Sequence, residues 1–331
     1  MNRVNRVSVI IEMENARTLC WGIVGRLFAE LAPQIEAYRE LRGDGFAAEV
    51  IIVCEGTAED AEELSDAIRS ASPELATASD LSFESVPGGR YFELKNRGIR
   101  ASTGDVVILL DSDIVPEKNW LSSLLAPFEA GEAVVVNGHT HLGHDSFLSR
   151  TLALTWCFPL RDHDARFANR RALNANNCAF AGDWIRRQPF TIDNGFKVSC
   201  SELMNRFFAS GGEMVRVPAY AQHAPLAGWR FLAWRAAVTG RDADRKTHRF
   251  KNASRSERFI AALKFWLKME LRVLRRVLGH WRKVEMPVWE LPAALSVGFA
   301  FYLISLANQL AATFGFTSDQ PEDIPAYAEH H

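Results

Sequence analysis

Two carboxylates, Asp111 and Asp113, close the apolar run Val106 to Leu110. Alternation along an extended chain sends residues two apart to the same side, so both side chains can face one partner. Like charges this close repel, and a hard divalent cation relieves the repulsion by taking their oxygens as ligands. Mg²⁺ or Mn²⁺ held by one or two carboxylates, its shell completed by substrate phosphates, is the chemistry this spacing implies. Asp-x-Asp also describes an ordinary solvated turn after a strand, so the surrounding elements decide its meaning.

Other residues compete for roles. His139, His141 and His144 invite a zinc reading, but imidazoles on a loop without rigid pairing are more often surface polar groups. Lys95, Arg97 and Arg100 can pair with a diphosphate or form a solvated helix face.

The elements that must position these groups read as an α/β chain. Val7 to Ile11 is a first strand, followed by a helical stripe of Leu19, Ile23, Leu27, Leu31 and Ile35 that ends at Gly43-Asp44-Gly45. Glu49 to Val53 is a second strand, ending at Cys54-Glu55-Gly56-Thr57, and Ser82 to Val86 a weak third. A helix is expected from Pro116, a strand over 133–137, a helix over 228–235 and a polar loop over 240–245. A continuous apolar run such as 106–110 marks a central strand buried on both faces, and ligands in open α/β sheets bind beyond the carboxyl ends of such strands.

Asn96-x-Gly98-x-x-x-Ser102-x-Gly104-Asp105, then the apolar strand, then Asp111-Ser112-Asp113, resembles the signature of family-2 glycosyltransferases. The resemblance implies a GT-A fold, a mostly parallel central sheet flanked by helices. It also implies that Asp111 and Asp113 hold the metal and diphosphate of a nucleotide-sugar donor. By the same resemblance Glu55, Lys95, Asn96 and Asp111 help bind the nucleotide, and His223 is a third metal ligand or a phosphate contact. The segment Asn174 to Phe180 with Arg186 and Arg187 is similar to the family's acceptor side, and Glu202 to Arg206 to its Asp-Leu-x-x-Arg helix. The chain departs from the family at Glu12, where proline is usual although Asn15 matches, and at Cys54, where an acid is usual. The largest departure is Ser199-Cys200, where the family carries its catalytic Glu-Asp pair; Glu202 is the nearest remaining acid and the expected base.

Hydrophobic content of 48% and charged content of 24% are ordinary for a globular protein. Residues 251 to 283 hold ten Lys/Arg and two Glu, a local +8, so the rest carries −10 within a net charge of −2. A basic segment on an acidic body suits a polyanionic surface and not general nucleic-acid binding. Five scattered cysteines, Cys20, Cys54, Cys157, Cys178 and Cys200, imply reduced thiols in a cytosolic compartment. The run Val7 to Ile11 is too short for a secretory signal and ends in Glu12. Arg161 to Arg166 is a charged loop of no evident role.

Phe259, Leu263, Trp266, Leu267, Leu271, Leu274 and Leu278 recur at helical spacing, with Lys264, Lys268, Arg272, Arg275 and Arg276 on another stripe. This is the pattern of an interfacial helix on anionic lipid. Residues 291–316 carry no charge and are long enough to cross a bilayer. Arg282 and Lys283 before them, with Asp319, Glu322 and Asp323 after, orient such a span with its preceding domain in the cytosol. The expected organisation is a catalytic domain over 1–227, a helical basic segment over 228–285, and a membrane helix with acidic tail over 286–331.

The reading that follows is an inverting, metal-dependent glycosyltransferase on the cytoplasmic face of a membrane, moving sugar to a lipid-linked or polysaccharide acceptor. A non-catalytic nucleotide-sugar binder or assembly partner of a polysaccharide synthase is the rival, motivated by Cys54 and Ser199-Cys200. A nucleotidyltransferase needs a Gly-rich phosphate loop after the first strand, which Glu12-Met13-Glu14-Asn15 is not.

Overall fold

The structure is a computed structural model and describes residues 4–14, 21–43, 45–156, 158–161, 172–192, 196–224 and 228–316. Asn15, Cys20, Asp44, Cys157, most of the charged loop (162–166) and the acidic tail at 319–323 lie outside the described residues. The chain forms two compact units: residues 1–141, 163–192 and 199–224 make the first, and 142–162, 193–198 and 225–331 the second.

The first unit is an eight-stranded sheet between two helical layers. In chain order its elements are β1 (Arg6–Met13), α1 (Trp21–Arg42), β2 (Ala47–Glu55), α2 (Ala58–Ala71), α3 (Pro73–Ala78), β3 (Asp80–Val86), α4 (Tyr91–Ala101), β4 (Val106–Asp111), β5 (Ile114–Pro116), α5 (Trp120–Glu129) and β6 (Val135–Leu142). After α6 (Phe147–Thr155), which belongs to the second unit, come β7 (Asn177–Ala181), α7 (Gly182–Arg187), α8 (Phe196–Ala209) and β8 (Met214–His223). Strand order is β3-β2-β1-β4-β7-β6-β8-β5. The β3-β2-β1-β4 block is parallel, and pairing turns antiparallel from β4 to β7 onward.

Both faces of the parallel block are covered, which is why its strands read as unbroken apolar runs. Val7, Val9, Ile11, Val106, Ile108 and Leu110 pack with α1, α3 and α5. Ile10, Val107 and Leu109 turn to the other face, toward α4, α7 and α8. Helix α4 approaches β1 so closely that a Cβ on Gly98 would lie 2.4 Å from the Ile10 Cγ2. Helix α2 starts at a reciprocal cap: the Asp60 N–H donates to Thr57 Oγ1, and the Thr57 N–H donates to Asp60 Oδ2 at 2.7 Å. Gly56, just before it, adopts φ +136°, a backbone region open to glycine.

Strands β4 and β5 are four places apart in the sheet, yet only Ser112 and Asp113 join them. Three Cα–Cα steps span at most about 11 Å. The sheet therefore curls until its far edge, β8-β5, meets the carboxyl end of β4.

The structure corrects three local expectations. Pro116 ends a strand instead of starting a helix: the ladder with β8 runs on through the Glu117 N–H to the Tyr220 carbonyl, and α5 begins at Trp120 after a left-handed Asn119. The strand expected at 133–137 runs over 135–142, so His139 and His141 are buried strand residues and not loop imidazoles. Residues 240–245 are no loop; they lie inside α9 (Trp229–Lys251), with Arg241, Asp242 and Asp244 buried.

The second unit contains α6, α9, α10 (Arg255–His280) and α11 (Leu291–Phe314). Arg276 donates to the carbonyls of Ala153 and Phe158, Tyr302 Oη to that of Thr155, and Arg150 pairs with Glu290 at 2.8 Å. The segment 142–162 is thereby bound to the C-terminal helices, which a boundary at 227 does not anticipate.

Gly98→Val should lower stability by about 1–3 kcal/mol through overpacking against β1, with secondary structure retained. Urea unfolding followed by circular dichroism checks it.

Candidate active site

Asp111 ends β4 on the face shared with Val107 and Leu109, toward α4. From α4, Lys95 and Tyr91 lie one turn apart and reach the same carboxylate. Lys95 Nζ is 2.6 Å from Asp111 Oδ1, and the Tyr91 hydroxyl donates to Oδ2 at 3.0 Å. The Lys95 ammonium also sits 4.5 Å from the Tyr91 ring centre, a cation–π contact. Lys95 is fully buried. Burial alone would depress its pKa, but Asp111 and then Glu12 outweigh burial and raise it, so the ammonium is held.

Glu12 is the unexpected member. The parallel register sets it beside Asp111, and it is 6% exposed. Burial first, then Asp111, pushes its carboxyl well above the usual range. Its Oε2 is buried without a hydrogen-bond partner among the described residues. One lysine serves both acids, and burial raises the Asp111 carboxyl as well, against the pull of Lys95. Only the departure of Glu12 from the family's proline marked this position in the sequence.

Asp113 does not share the face of Asp111. Ser112 and Asp113 form a turn, which breaks the alternation, and Asp113 points to β8. Its Oδ2 is 2.9 Å from His223 Nε2, while its Oδ1 is buried and has no hydrogen-bond partner among the described residues. The unused buried carboxylate oxygen is the donor type that suits Mg²⁺ or Mn²⁺, while the imidazole nitrogen beside it is a donor that Mg²⁺ takes poorly. Among the described residues, no group of three or more His, Cys, Asp or Glu could hold a metal ion. Of the expected set Asp111, Asp113 and His223, the structure joins the last two and places Asp111 behind them, tied to Lys95 and Tyr91.

The remaining expected residues fall as follows. Glu55 ends β2 and accepts from the Gly88 N–H at 3.2 Å. Asn96 is turned to backbone: its amide nitrogen donates to the Phe190 carbonyl at 2.8 Å, and its oxygen accepts from the Phe190 N–H at 3.0 Å. It clamps that segment, in place of the expected nucleotide contact. Arg97 pairs with Glu84 of β3 at 2.6 Å and not with an open phosphate cradle. Cys54 is buried, its thiol donating to the Glu84 carbonyl. Arg186 is tied to the Gly104 carbonyl and Asp183. On α8, Cys200 packs against the cluster of Val107, Leu109 and Cys178, on the Asp111 side of the sheet. Glu202 is about 200° around the helix from Cys200 and half-buried. His141 Nε2 pairs with Glu117 at 2.6 Å, and His139 packs on the Tyr220 ring.

Residues 89–191 match the family model of glycosyl transferase family 2, a segment containing Lys95, Asn96, Asp111 and Asp113. No curated protein matches the chain. Among solved structures, the mannosyltransferase PcManGT from Pyrobaculum calidifontis, in complex with GDP-Man and Mn²⁺, is similar in fold. It has a TM-score of 0.53 at 15% identity, over 95% of this chain and 88% of that one. Glucosyl-3-phosphoglycerate synthase from Mycobacterium tuberculosis, in complex with Mn²⁺, UDP and glucosyl-3-phosphoglycerate, gives 0.48 at 19% identity over 74% and 80%. The chain thus resembles family-2 glycosyltransferases in sequence across its central segment, and its fold is the GT-A fold of nucleotide-sugar transferases.

A carboxyl whose pKa is raised by folding favours the native state at low pH, and that contribution is lost as pH rises from its unfolded value through its folded one. Glu12→Gln should therefore match the parent in thermal stability near pH 4.5 and exceed it increasingly toward pH 8. The gain is about 1.4 kcal/mol per pKa unit of elevation. Melting curves of the two metal-free proteins across that range check it.

Proposed function

We propose that the protein is an inverting glycosyltransferase using a nucleotide-diphosphate sugar and a divalent cation. The observation that carries the reading is the Asp113–His223 pair, with its unused buried carboxylate oxygen, at the carboxyl end of the central strand. PcManGT, similar in fold, binds GDP-Man and Mn²⁺, which supports this donor class.

Asp113 and His223 would hold the cation, which when bound offsets charge on the departing diphosphate. Lys95 and Tyr91 fix the Asp111 carboxylate, so the strand end keeps one orientation while substrate binds. Glu55, at the neighbouring strand end, is the proposed nucleotide contact. Glu202, the acid nearest to Ser199-Cys200 in the sequence, is the proposed base for the attacking acceptor hydroxyl, although it leaves α8 on the side away from Cys200. The proposed acceptor is a lipid-linked or polysaccharide glycan at the cytosolic face of a membrane. Ser199-Cys200 favours the second reading, a non-catalytic nucleotide-sugar binder that assists a polysaccharide synthase.

A panel of nucleotide sugars with Mg²⁺ or Mn²⁺ tests the proposal by calorimetry and donor hydrolysis. One donor should bind and turn over, and Asp113→Asn should reduce turnover by at least about a hundredfold. Near-normal turnover in Asp113→Asn rejects the cation site, and binding without turnover supports the non-catalytic reading. Glu202→Gln should lower kcat by roughly 10²–10⁴ with donor affinity unchanged; an unchanged kcat removes Glu202 as base.

A further inference from the structure

The second unit has an apolar core that includes Leu152, Leu232, Val273, Val277, Phe301 and Tyr302. Its interior holds ion pairs: Arg258 Nε donates to the buried Asp244 at 2.9 Å, the Thr313 hydroxyl donates to Asp244 at 2.8 Å, and Arg150 meets Glu290. Its surface is greasy. Of twenty exposed large apolar side chains among the described residues, fourteen lie between Phe259 and Phe316. On α10, Ile260, Leu263, Leu267, Leu271, Leu274 and Leu278 recur every three or four residues and are all exposed. The opposite side of α10 is already packed, through Ala262, Met269, Val273 and Val277. Beside the exposed stripe stand Lys264, Lys268 and Arg275, also exposed. Arg272 and Arg276 instead turn inward to the Trp156 and Phe158 carbonyls.

Helix α11 continues this surface with Leu303, Ile304 and Phe314. It runs antiparallel to α10: Phe314 packs on Phe259, and Gly298 on Val273. Its length of about 36 Å would suffice to cross a bilayer, and only 33% of its most apolar window is buried. What it packs against argues otherwise. Gly240 lets α9 approach until a Cβ there would lie 2.0 Å from the Ser305 carbonyl oxygen. From that crossing, α9 carries Arg241, Asp242 and Asp244 alongside Ser305, Gln309 and Thr313. A spanning α11 would draw these charges into hydrocarbon, where each is costly.

We propose that α10 and α11 form an in-plane platform seated in one leaflet of an anionic bilayer, and that α11 does not cross it. The apolar stripe enters the acyl boundary, while Lys264, Lys268 and Arg275 snorkel to lipid phosphates. The proposal does not rest on sugar transfer. Its readouts need neither donor nor acceptor, so either reading can fail alone.

The test uses the full chain. In flotation it should rise with vesicles of phosphatidylcholine mixed with phosphatidylglycerol, and less with phosphatidylcholine alone. Leu267→Glu should weaken flotation roughly tenfold or more, as should Leu303→Glu on the other helix. Lys264→Gln with Lys268→Gln should remove the preference for phosphatidylglycerol. Circular dichroism confirms that each variant is folded. Orientation is read in sealed membrane vesicles of both polarities, with an impermeant maleimide counted against the parent chain. Glu285→Cys and Phe316→Cys should label in the same polarity. Absence of flotation, or unchanged flotation in both glutamate variants, overturns the membrane platform. Labelling of the two sites in opposite polarities overturns the in-plane arrangement.

Discussion

The first unit depends on a short tether. Two residues join β4 to β5 although the sheet separates these strands by β7, β6 and β8. A bridge of that length cannot cross a flat sheet, since neighbouring strands are about 4.8 Å apart. The sheet must curl, and the bridge is where its β8-β5 edge meets the carboxyl end of β4. Asp113 lies on that bridge, and His223 is carried there because Ile114 pairs with it in the β5–β8 ladder. The candidate cation site is thus a consequence of closure, which brings the β8-β5 edge of the sheet to the carboxyl end of its central strand.

Behind this junction the charges are layered. Glu12, Asp111 and Lys95 lie on one face of the parallel block, where water is excluded and ion pairing carries more weight. Lys95 holds Asp111, and the surplus acid shows as carboxyls raised at both Glu12 and Asp111, burial being the main cause. A proline at position 12 would remove that surplus but also the backbone N–H there. Substitution of the acidic pair on α8 by Ser199-Cys200 leaves fewer charges to balance on the same face.

The second unit solves a different problem with the same tools. Within an apolar core it buries Asp244 and Glu290, paired with Arg258 and Arg150, and it leaves the α10 leucines outside. Water alone disfavours that distribution, because a large apolar patch exposed to it gains nothing from folding. The buried polar groups keep α9, α10 and α11 in register, and the small residues Gly240 and Gly298 let them approach.

What the sequence determined by itself was everything set by short-range periodicity. The apolar run ending at Asp111 and the two C-terminal apolar helices follow from spacings of two and about four residues, whereas the mostly parallel sheet was implied by the resemblance to family-2 glycosyltransferases. Those spacings are properties of backbone geometry. The sequence could not show that Ser112 and Asp113 turn, that Asp113 meets a histidine 110 residues away, or that Lys95 and Glu12 share the Asp111 face. Nor could it show that His139 and His141 are strand residues, or that 240–245 lies within a helix. Each of these depends on which distant segments pack together, and local pattern carries no information about a partner whose identity is fixed only when the sheet closes.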